Sequence, residues 1–127
     1  MGIINLAVVG SGYWGSKIVE SLRSINRVGK VQIIDVKNGQ TIDDIDSDIR
    51  AAVIATPLWD HFISTEKLLN RGFDCYVEKP LAENAAQITY LNRYIKDQIV
   101  MVGHIFMYHP ALEYVQCSVQ SDHASHE

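Results

Sequence analysis

Five short apolar runs recur along the chain and set its overall pattern. They are rich in valine and isoleucine, lack polar alternation, and are flanked by glycine, aspartate or proline. The runs cover residues 3–9, 31–34, 51–55, 75–77 and 99–102. Runs of this kind are typical of strands that are buried on both faces, as in a parallel sheet covered by helices. The pattern therefore predicts about five parallel strands.

The segments between these runs carry apolar residues, and one threonine, at helical spacing. The positions are Ile18, Val19, Leu22 and Ile25, then Phe62, Thr65, Leu68 and Leu69, then Ile88, Leu91 and Ile95. Tyr90 and Tyr94 would widen the buried face of the third segment. Gly72 is typical of a helix end, and Asn84 with Gln87 is typical of a helix start. Because strands and helices alternate, the sequence predicts an α/β fold with right-handed crossovers.

The connection after the second strand is unusually short. Only 15 residues, 36–50, separate Asp35 from the next strand, whereas a parallel crossover needs at least about 10 to 12. The segment has no room for two helices and a strand, so we expect one helical turn near residues 42–48. The sequence thus predicts a reduced Rossmann-type, doubly wound parallel sheet with strand order 2-1-3-4-5. Ligands bind such sheets at the carboxyl ends of the strands beside the switch point, here between the strands at Leu6 and Val53.

A glycine-rich turn follows the first strand and precedes the first helical segment. The cofactor-binding residues predicted in this turn are Gly10, Ser11, Gly12, Tyr13, Trp14 and Gly15. In a GxGxxG turn the first glycine permits the tight bend, the second lets a pyrophosphate approach, and the third lets helix and strand pack closely. The helix N-terminus adds amide donors and a positive dipole end. A plain glycine-rich turn is the alternative, and Trp14 either stacks over the turn or packs on the sheet.

An acidic residue ends the second strand. Asp35 lies 20 residues after Gly15, where a carboxylate can accept hydrogen bonds from a ribose 2′-hydroxyl and would repel a 2′-phosphate. This position favours NAD over NADP, although Lys37 and Asn38 lie close enough to soften the preference. A solvated strand end is the alternative interpretation of Asp35. Glycine-rich turns with an acidic strand end also occur in S-adenosylmethionine methyltransferases, so the first fifty residues leave the ligand open.

Composition and charge narrow the class of function. The chain has 127 residues, 47% of them hydrophobic, and its formal net charge is -4. Its length suits one globular domain, and its charge provides no basic field for nucleic acid or for an anionic membrane surface. No run approaches the roughly 18 to 20 apolar residues of a membrane span, and the N-terminus lacks a basic start. We expect a cytoplasmic protein with neither nucleic acid nor membrane as a partner.

The two cysteines suggest no covalent or metal framework. Cys75 and Cys117 lie 42 positions apart, without a CxxC pair or a neighbouring histidine at metal-binding spacing. Neither a disulfide framework nor a zinc site is indicated. We therefore expect two buried free thiols and no bound metal.

Three later segments carry a more specific pattern. They are residues 52–57 (AVIATP) with His61, residues 76–81 (YVEKPL), and residues 102–104 (VGH) with 108–110 (YHP). These segments resemble the cofactor domain of the glucose-fructose oxidoreductase / inositol dehydrogenase (Gfo/Idh/MocA) family, and the EKP tripeptide is their most specific part. With the GYWG turn, the pattern looks most like the sugar-nucleotide branch, whose members oxidise the sugar ring of UDP-linked amino sugars. The resemblance extends from Ile4 to about Leu112.

The resemblance implies a role for each matching residue. The glycine-rich turn would hold the pyrophosphate, and Asp35 would hold the adenosine ribose. The residues expected near the nicotinamide ribose are Thr56, Pro57, His61, Glu78 and Lys79. Lys79 would also reach the substrate carbinol as the catalytic group for its proton, and the Lys79–Pro80 peptide would be cis. The alternatives are a surface Lys79 paired with Glu78 and an ordinary helix-start His61.

The chain also departs from the family pattern. Family members continue into a second, substrate-binding domain, and the short crossover removes one wall of the usual adenine pocket. We predict a cofactor domain over residues 1–117 and a polar, disordered tail over 118–127, with Leu112, Val115 and Val119 on a helix. The expected function is the NAD-binding part of a sugar or sugar-nucleotide oxidoreductase, catalytically incomplete alone. A non-catalytic regulatory or assembly module is the alternative.

The last expectation from the sequence concerns association. Residues 105–108 are apolar and precede further apolar positions at Leu112, Tyr114 and Val115. In the family this stretch would pack beneath the second domain. Large exposed apolar patches are uncommon on soluble monomers, and a symmetric dimer buries the same patch twice. We therefore expect a homodimer whose interface includes Phe106, Tyr108 and the helix from Pro110.

Overall fold

The computed structural model describes residues 2–124 and contains a single parallel sheet with helices on both faces. The strands are β1 (Ile4–Val9), β2 (Val28–Ile34), β3 (Ala51–Ile54), β4 (Asp74–Val77) and β5 (Val100–Val102). The α-helices are α1 (Tyr13–Arg23), α2 (Leu58–Asn70), α3 (Ala85–Leu91) and α4 (Pro110–Ala124). Single 3-10 turns cover Val36–Asn38, Ile42–Asp44 and Ile105–Tyr108.

The sheet confirms the predicted fold class and strand order. Its order is β2-β1-β3-β4-β5, and each neighbouring pair is parallel. Val9 is aligned with Ile34 on one side and with Ile54 on the other. Val77 is aligned with Ile54 and with Val102. The carboxyl ends of all five strands therefore lie in one row, where the loops that follow them meet.

The core lies on the two faces of this sheet. On the face of α2 and α3, fully buried side chains include Ile54, Leu68, Val77 and Leu91. On the face of α1, Val8 and Val53 of the sheet pack with Val19 of the helix. Neighbouring residues of a strand point to opposite faces, so β1 and β3 contribute to both clusters. This two-sided burial explains the continuous apolar runs in the sequence.

The short crossover between β2 and β3 is held by its own apolar and polar contacts. Ile42, Ile45 and Ile49 are buried in the core on the α2 face. The side chain of Gln32 donates to the Asp44 carbonyl over 2.9 Å and accepts the Asp46 N–H over 2.8 Å. The expected helical turn is confirmed at Ile42–Asp44, and a further turn at Val36–Asn38 was not predicted.

The third helix is shorter than its apolar spacing predicts. It ends at Leu91, so Ile95 lies outside the helix although it still packs against the core. The start is as predicted, because the Asn84 side chain accepts the Gln87 N–H over 3.0 Å. The chain must turn after residue 91 to reach β5 at Val100, which ends the helix early.

The two cysteines differ in their burial, and the helix that carries the second one extends to the C-terminal end of the described residues. Cys75 is buried as expected, and burial raises the pKa of its thiol to about 12. Cys117 is exposed, so the prediction that it is buried was wrong. It lies on α4, which packs chiefly against the Ile105–Tyr108 turn. Helix α4 crosses the boundary predicted at residue 118 and ends at Ala124, while residues 125–127 of the predicted tail lie outside the described residues.

Candidate functional site

Four strand-end loops meet at one edge of the sheet and are joined by backbone hydrogen bonds. The Gly10 N–H donates to the Ile34 carbonyl over 2.8 Å, and the Ala55 N–H donates to the Val9 carbonyl over 2.9 Å. Further along the row, Glu78 N–H donates to Ile54 over 3.0 Å and Gly103 N–H to Val77 over 2.8 Å. The fold thus brings the glycine-rich turn, the Thr56–Pro57 segment and the Glu78–Lys79 segment to the same edge.

The glycine-rich turn has the shape that its sequence predicts. Gly10 has φ +98°, and a Cβ there would lie 2.7 Å from the Ala55 carbonyl oxygen. A Cβ at Gly15 would collide with the Gly10 carbonyl oxygen. By contrast, no heavy atom lies within 4 Å of the position that a Cβ would take at Gly12. The first and third glycines are therefore required by packing, while the second borders open space.

The N-terminus of α1 opens onto this space. Gly12 is its N-cap residue, so no side chain caps the helix, and its first turn contains no acidic residue. The first N–H groups of a helix and the positive end of its dipole favour an anion at this place. The open space beside Gly12 and the uncapped helix together fit the pyrophosphate of a dinucleotide.

Asp35 is buried beside the same turn and is held as a carboxylate. It accepts a short hydrogen bond from the Ser11 hydroxyl and the Lys37 N–H over 2.8 Å. The Ser11 hydroxyl, followed by the Lys37 N–H, lowers the pKa of Asp35 below its usual value. The Asp35 backbone N–H donates to the Gln40 side chain over 3.2 Å. An ionised acceptor is thus fixed next to the glycine-rich turn.

A groove of about 370 Å³ begins at Ser11 and runs between α1 and β2. It is lined by Ser11, Ser16, Val19, Glu20, Arg23 and Ile33. Tyr13 and Trp14, at the start of α1, are exposed, and their rings form an edge-to-face pair with centroids 5.3 Å apart. Trp14 therefore does not pack on the sheet, which was one of the two positions considered for it.

His61 joins two of the strand-end loops. It is buried in the first turn of α2, with Nε2 2.8 Å from the Thr56 carbonyl oxygen and Nδ1 2.7 Å from the Pro80 carbonyl oxygen. The Lys79–Pro80 peptide is cis, which confirms the prediction. The Thr56 hydroxyl is buried and has no hydrogen-bond partner within residues 2–124. A buried polar atom without a partner at this edge is a second observation that fits a bound ligand.

Glu78 and Lys79 lie at the end of β4, next to a residue that the sequence did not suggest. The Tyr76 hydroxyl lies 3.5 Å from Glu78 Oε1, and burial, together with the Glu78 charge, raises the pKa of Tyr76. A Cβ at Gly103 would lie 2.7 Å from the Tyr76 hydroxyl and 3.2 Å from Glu78 Oε1. Tyr76 and Gly103 thus set the space available to Glu78. Tyr76 precedes Glu78 by two strand positions, and this spacing is the signal that could have found it.

Lys79 is exposed at this edge, and within residues 2–124 it forms no ion pair with Glu78.

Residues 2–124 contain no group of three or more His, Cys, Asp or Glu side chains that could hold a metal ion. They also contain no helix with both the length and the apolar character of a membrane span. The polar groups at this edge include backbone amides, hydroxyls, Asp35, Glu78 and Lys79.

A family comparison agrees with this geometry. Residues 28–106, more than half of the chain, match the Gfo/Idh/MocA family model, which is described as an oxidoreductase family with an NAD-binding Rossmann fold. The chain belongs to this family. The matched segment includes Asp35, the Thr56–His61 segment and the Glu78–Pro80 tripeptide, so it covers most of the row of strand ends. The sheet described above is the family's NAD-binding Rossmann domain.

Curated relatives are similar to the chain over part of their own length. A 2,7-anhydro-N-acetylneuraminate hydratase of Mediterraneibacter gnavus is 26% identical, with 91% of this chain and 35% of the relative covered. A UDP-N-acetylglucosamine 3-dehydrogenase of Acidithiobacillus ferrooxidans is 27% identical, with 60% of this chain and 25% of the relative covered. The chain thus spans about a third or less of the length of these two relatives.

A solved structure shows the same arrangement. GenD2 from gentamicin A biosynthesis, in complex with NAD, superposes with a TM-score of 0.78 and 25% identity. The match covers 87% of this chain and 37% of GenD2. The Rossmann domain described here therefore has the fold of part of a similar protein whose structure was solved in complex with NAD.

Proposed function

We propose that the chain binds NAD at the carboxyl ends of β1, β2 and β3 and serves an oxidoreductase that acts on a CH–OH group of a sugar or sugar nucleotide. The observation that carries the proposal is the uncapped N-terminus of α1, which faces open space at Gly12 beside the ionised Asp35. The sugar class is supported by relatives whose names refer to an anhydro-sialic acid and to a UDP-amino sugar.

Each polar group of the site has a place in this proposal. The amides at the start of α1 would hold the pyrophosphate, and Asp35 would accept the hydroxyls of the adenosine ribose. The unpartnered Thr56 hydroxyl, with Pro57 and Glu78, would border the nicotinamide ribose. When bound, NAD supplies the two-electron oxidant for a carbinol. Lys79, exposed at the same edge, would take the hydroxyl proton of the substrate.

The substitution Gly12→Val tests where the cofactor binds. Because no heavy atom lies within 4 Å of the added Cβ, the variant should keep the fold, with a small loss of stability since valine is a poorer N-cap residue than glycine, and it should lose NAD binding. NAD at 100 times its dissociation constant should stabilise the parent by about 2.7 kcal/mol. Thermal shift and titration calorimetry with NAD, NADP, NADH and UDP-sugars provide the measurement.

Gly2→Val is the matched control, because Gly2 also has no heavy atom within 4 Å of its added Cβ. The control should bind NAD like the parent. If Gly12→Val binds NAD with unchanged affinity, the dinucleotide does not cross the N-terminus of α1 and the proposed site is wrong. If S-adenosylmethionine stabilises the parent and NAD does not, the proposed class of ligand is wrong.

We also propose that the protein works as a homodimer in a reducing compartment such as the cytoplasm. The turn Ile105–Tyr108 and the start of α4 form an apolar surface, the C-terminal surface, whose large side chains are all exposed. A second copy of the chain is the occupant that we propose for it. The reducing compartment is supported by the two cysteines, which are both free.

A further inference from the structure

Tyr76 and Glu78 place two half-buried polar groups at the β4 end of the row of strand ends. The Tyr76 ring packs against the cluster of Val8, Val19 and Val53, on the α1 face of the sheet. Glu78 follows two positions later, and its Oε1 atom lies 3.5 Å from the Tyr76 hydroxyl oxygen. A phenol donor and a carboxylate acceptor thus lie side by side at this edge.

The contact between the two groups leaves hydrogen-bonding capacity unused on both. Its length of 3.5 Å is well beyond the usual O–H···O distance of about 2.7 to 2.8 Å. Within residues 2–124 Glu78 forms no ion pair, and Tyr76 is its side-chain hydrogen-bond partner. A carboxylate offers about four lone-pair sites. Partly buried polar groups with so few partners favour a ligand that supplies the missing ones.

Gly103 allows both oxygen atoms to lie close to the end of β5. Its N–H donates to the Val77 carbonyl over 2.8 Å, which fixes its backbone beside β4. A Cβ at this buried position would lie 2.7 Å from the Tyr76 hydroxyl and 3.2 Å from Glu78 Oε1. The donor and the acceptor therefore converge on one place.

A primary carboxamide complements such a pair. Its NH₂ group donates, its carbonyl oxygen accepts, and the two are attached to the same carbon. Glu78 would accept from the NH₂ group, and the Tyr76 hydroxyl would donate to the carbonyl oxygen. The nicotinamide ring of NAD carries a group of this kind.

We propose that Tyr76 and Glu78 form the subsite that binds the carboxamide of the nicotinamide ring. This inference rests on the proposed function, because it takes NAD as the ligand. Its place in the row agrees with that function, since the adenosine ribose at Asp35 and the pyrophosphate at α1 leave β4 and β5 to the nicotinamide half. Lys79 follows Glu78 directly, so a carboxamide held here would place the ring beside the group proposed to take the substrate proton.

The first experiment compares NAD with nicotinic acid adenine dinucleotide, the acid analogue, which has a carboxylate in place of the carboxamide. In the parent this carboxylate would face Glu78, and like charges side by side are unfavourable. Calorimetric titration at neutral pH should therefore give the acid analogue a dissociation constant at least about tenfold higher than that of NAD. Equal affinity of the parent for the two dinucleotides overturns the proposal.

Glu78→Gln tests which residue causes this difference. It removes the charge and adds an amide donor, so the dissociation constants of NAD and the acid analogue should become similar. Glu83→Gln is the matched control, because it removes the same charge from an exposed side chain between β4 and α3. The control should keep the ratio of the parent. A Glu78→Gln variant that also keeps it would show that the carboxamide lies elsewhere.

The second experiment separates ligand binding by Tyr76 from support of the fold. Tyr76→Phe keeps the ring and removes the hydroxyl, so NAD affinity should fall about threefold to tenfold. Affinity for ADP-ribose, which lacks the nicotinamide ring, should stay that of the parent. Tyr94→Phe removes a hydroxyl that lies 2.6 Å from the Tyr90 hydroxyl, and it should change neither affinity. Equal losses for both ligands in Tyr76→Phe would refute the proposed contact.

ADP-ribose also separates this inference from the proposed function. If the parent binds neither NAD nor ADP-ribose, the proposed dinucleotide site is wrong and the carboxamide subsite falls with it. If the parent binds ADP-ribose but binds NAD and the acid analogue equally, the site stands and only this inference falls. If Tyr76→Phe does not fold, the comparison of the parent with Glu78→Gln decides.

Discussion

At the scale of single residues, Asp35 is the group through which this site can distinguish its ligands. Its carboxylate is buried and is held by the Ser11 hydroxyl and the Lys37 N–H, which keep its pKa below the usual value. It is therefore ionised throughout the neutral range. A fixed negative charge can accept hydrogen bonds from hydroxyl groups and repels a phosphate at the same place.

The substitution Asp35→Ser should move the cofactor preference from NAD towards NADP. It removes the repulsive charge, and Lys37 remains nearby as a cation, so we expect the ratio of the two dissociation constants to change by about tenfold or more. Titration of the parent and the variant with both cofactors measures this ratio. Asp43→Ser removes the same charge from an exposed side chain and should leave the ratio unchanged.

An unchanged ratio in Asp35→Ser would mean that Asp35 only ends the second strand.

The place of Asp35 at the end of β2 and the open space at Gly12 both followed from the spacing of glycine, acid and strand in the sequence. The contact between Tyr76 and Glu78 did not, because an apolar pattern identifies a strand but not what a phenol on it touches. Which atoms His61 faces likewise depends on a turn 19 positions away in the sequence.

At the scale of elements, the crossover between β2 and β3 shows how a short connection replaces a helix. Three isoleucines of this segment are buried, and the Gln32 side chain holds its backbone from the neighbouring strand. Lys30 adds ion pairs with Asp46 and Asp48, all on half-exposed side chains, so their contribution is small. The buried apolar residues are therefore the main source of stability in the crossover.

Ile49→Ala should destabilise the protein as strongly as a substitution within the sheet. Ile49 is fully buried in the core, and removal of such a side chain lowers the free energy of unfolding by about 2 to 5 kcal/mol. Val36→Ala, in the same segment at a side chain that is 78% exposed, should change it by less than about 0.5 kcal/mol. Urea denaturation measures both values, and similar small losses would show that the crossover is only loosely attached.

The pattern of apolar residues predicted the elements better than their ends. Five strands and three helical segments followed from it, because burial on both faces leaves a continuous signal in the sequence. The end of α3 did not, since Ile95 keeps helical spacing while it packs against the core from a turn. The exposure of Cys117 was also missed, because helical spacing on α4 does not reveal whether anything covers the helix.

At the scale of the whole molecule, the C-terminal surface distinguishes one side of the protein from the rest. Phe106, Tyr108 and Tyr114 are each more than 70% exposed. Three aromatic side chains can bury about 450 to 750 Å² together, and a standard interface buries about 800 Å² per partner. The surface thus supplies most of the area that one side of a stable dimer requires. A two-fold axis would bury this area twice through a single contact.

Phe106→Glu should therefore shift a dimer towards monomer. It places a charge within the proposed interface, where burial without a partner is unfavourable. Sedimentation velocity over a micromolar concentration range should show a dimer for the parent and a monomer for the variant. Val36→Glu introduces the same charge at an exposed apolar residue of the β2–β3 crossover, and it should leave the dimer intact. A parent that sediments as a monomer at every concentration would show that a second copy does not cover the C-terminal surface. Any NAD binding measured on those samples would then be a property of the monomer.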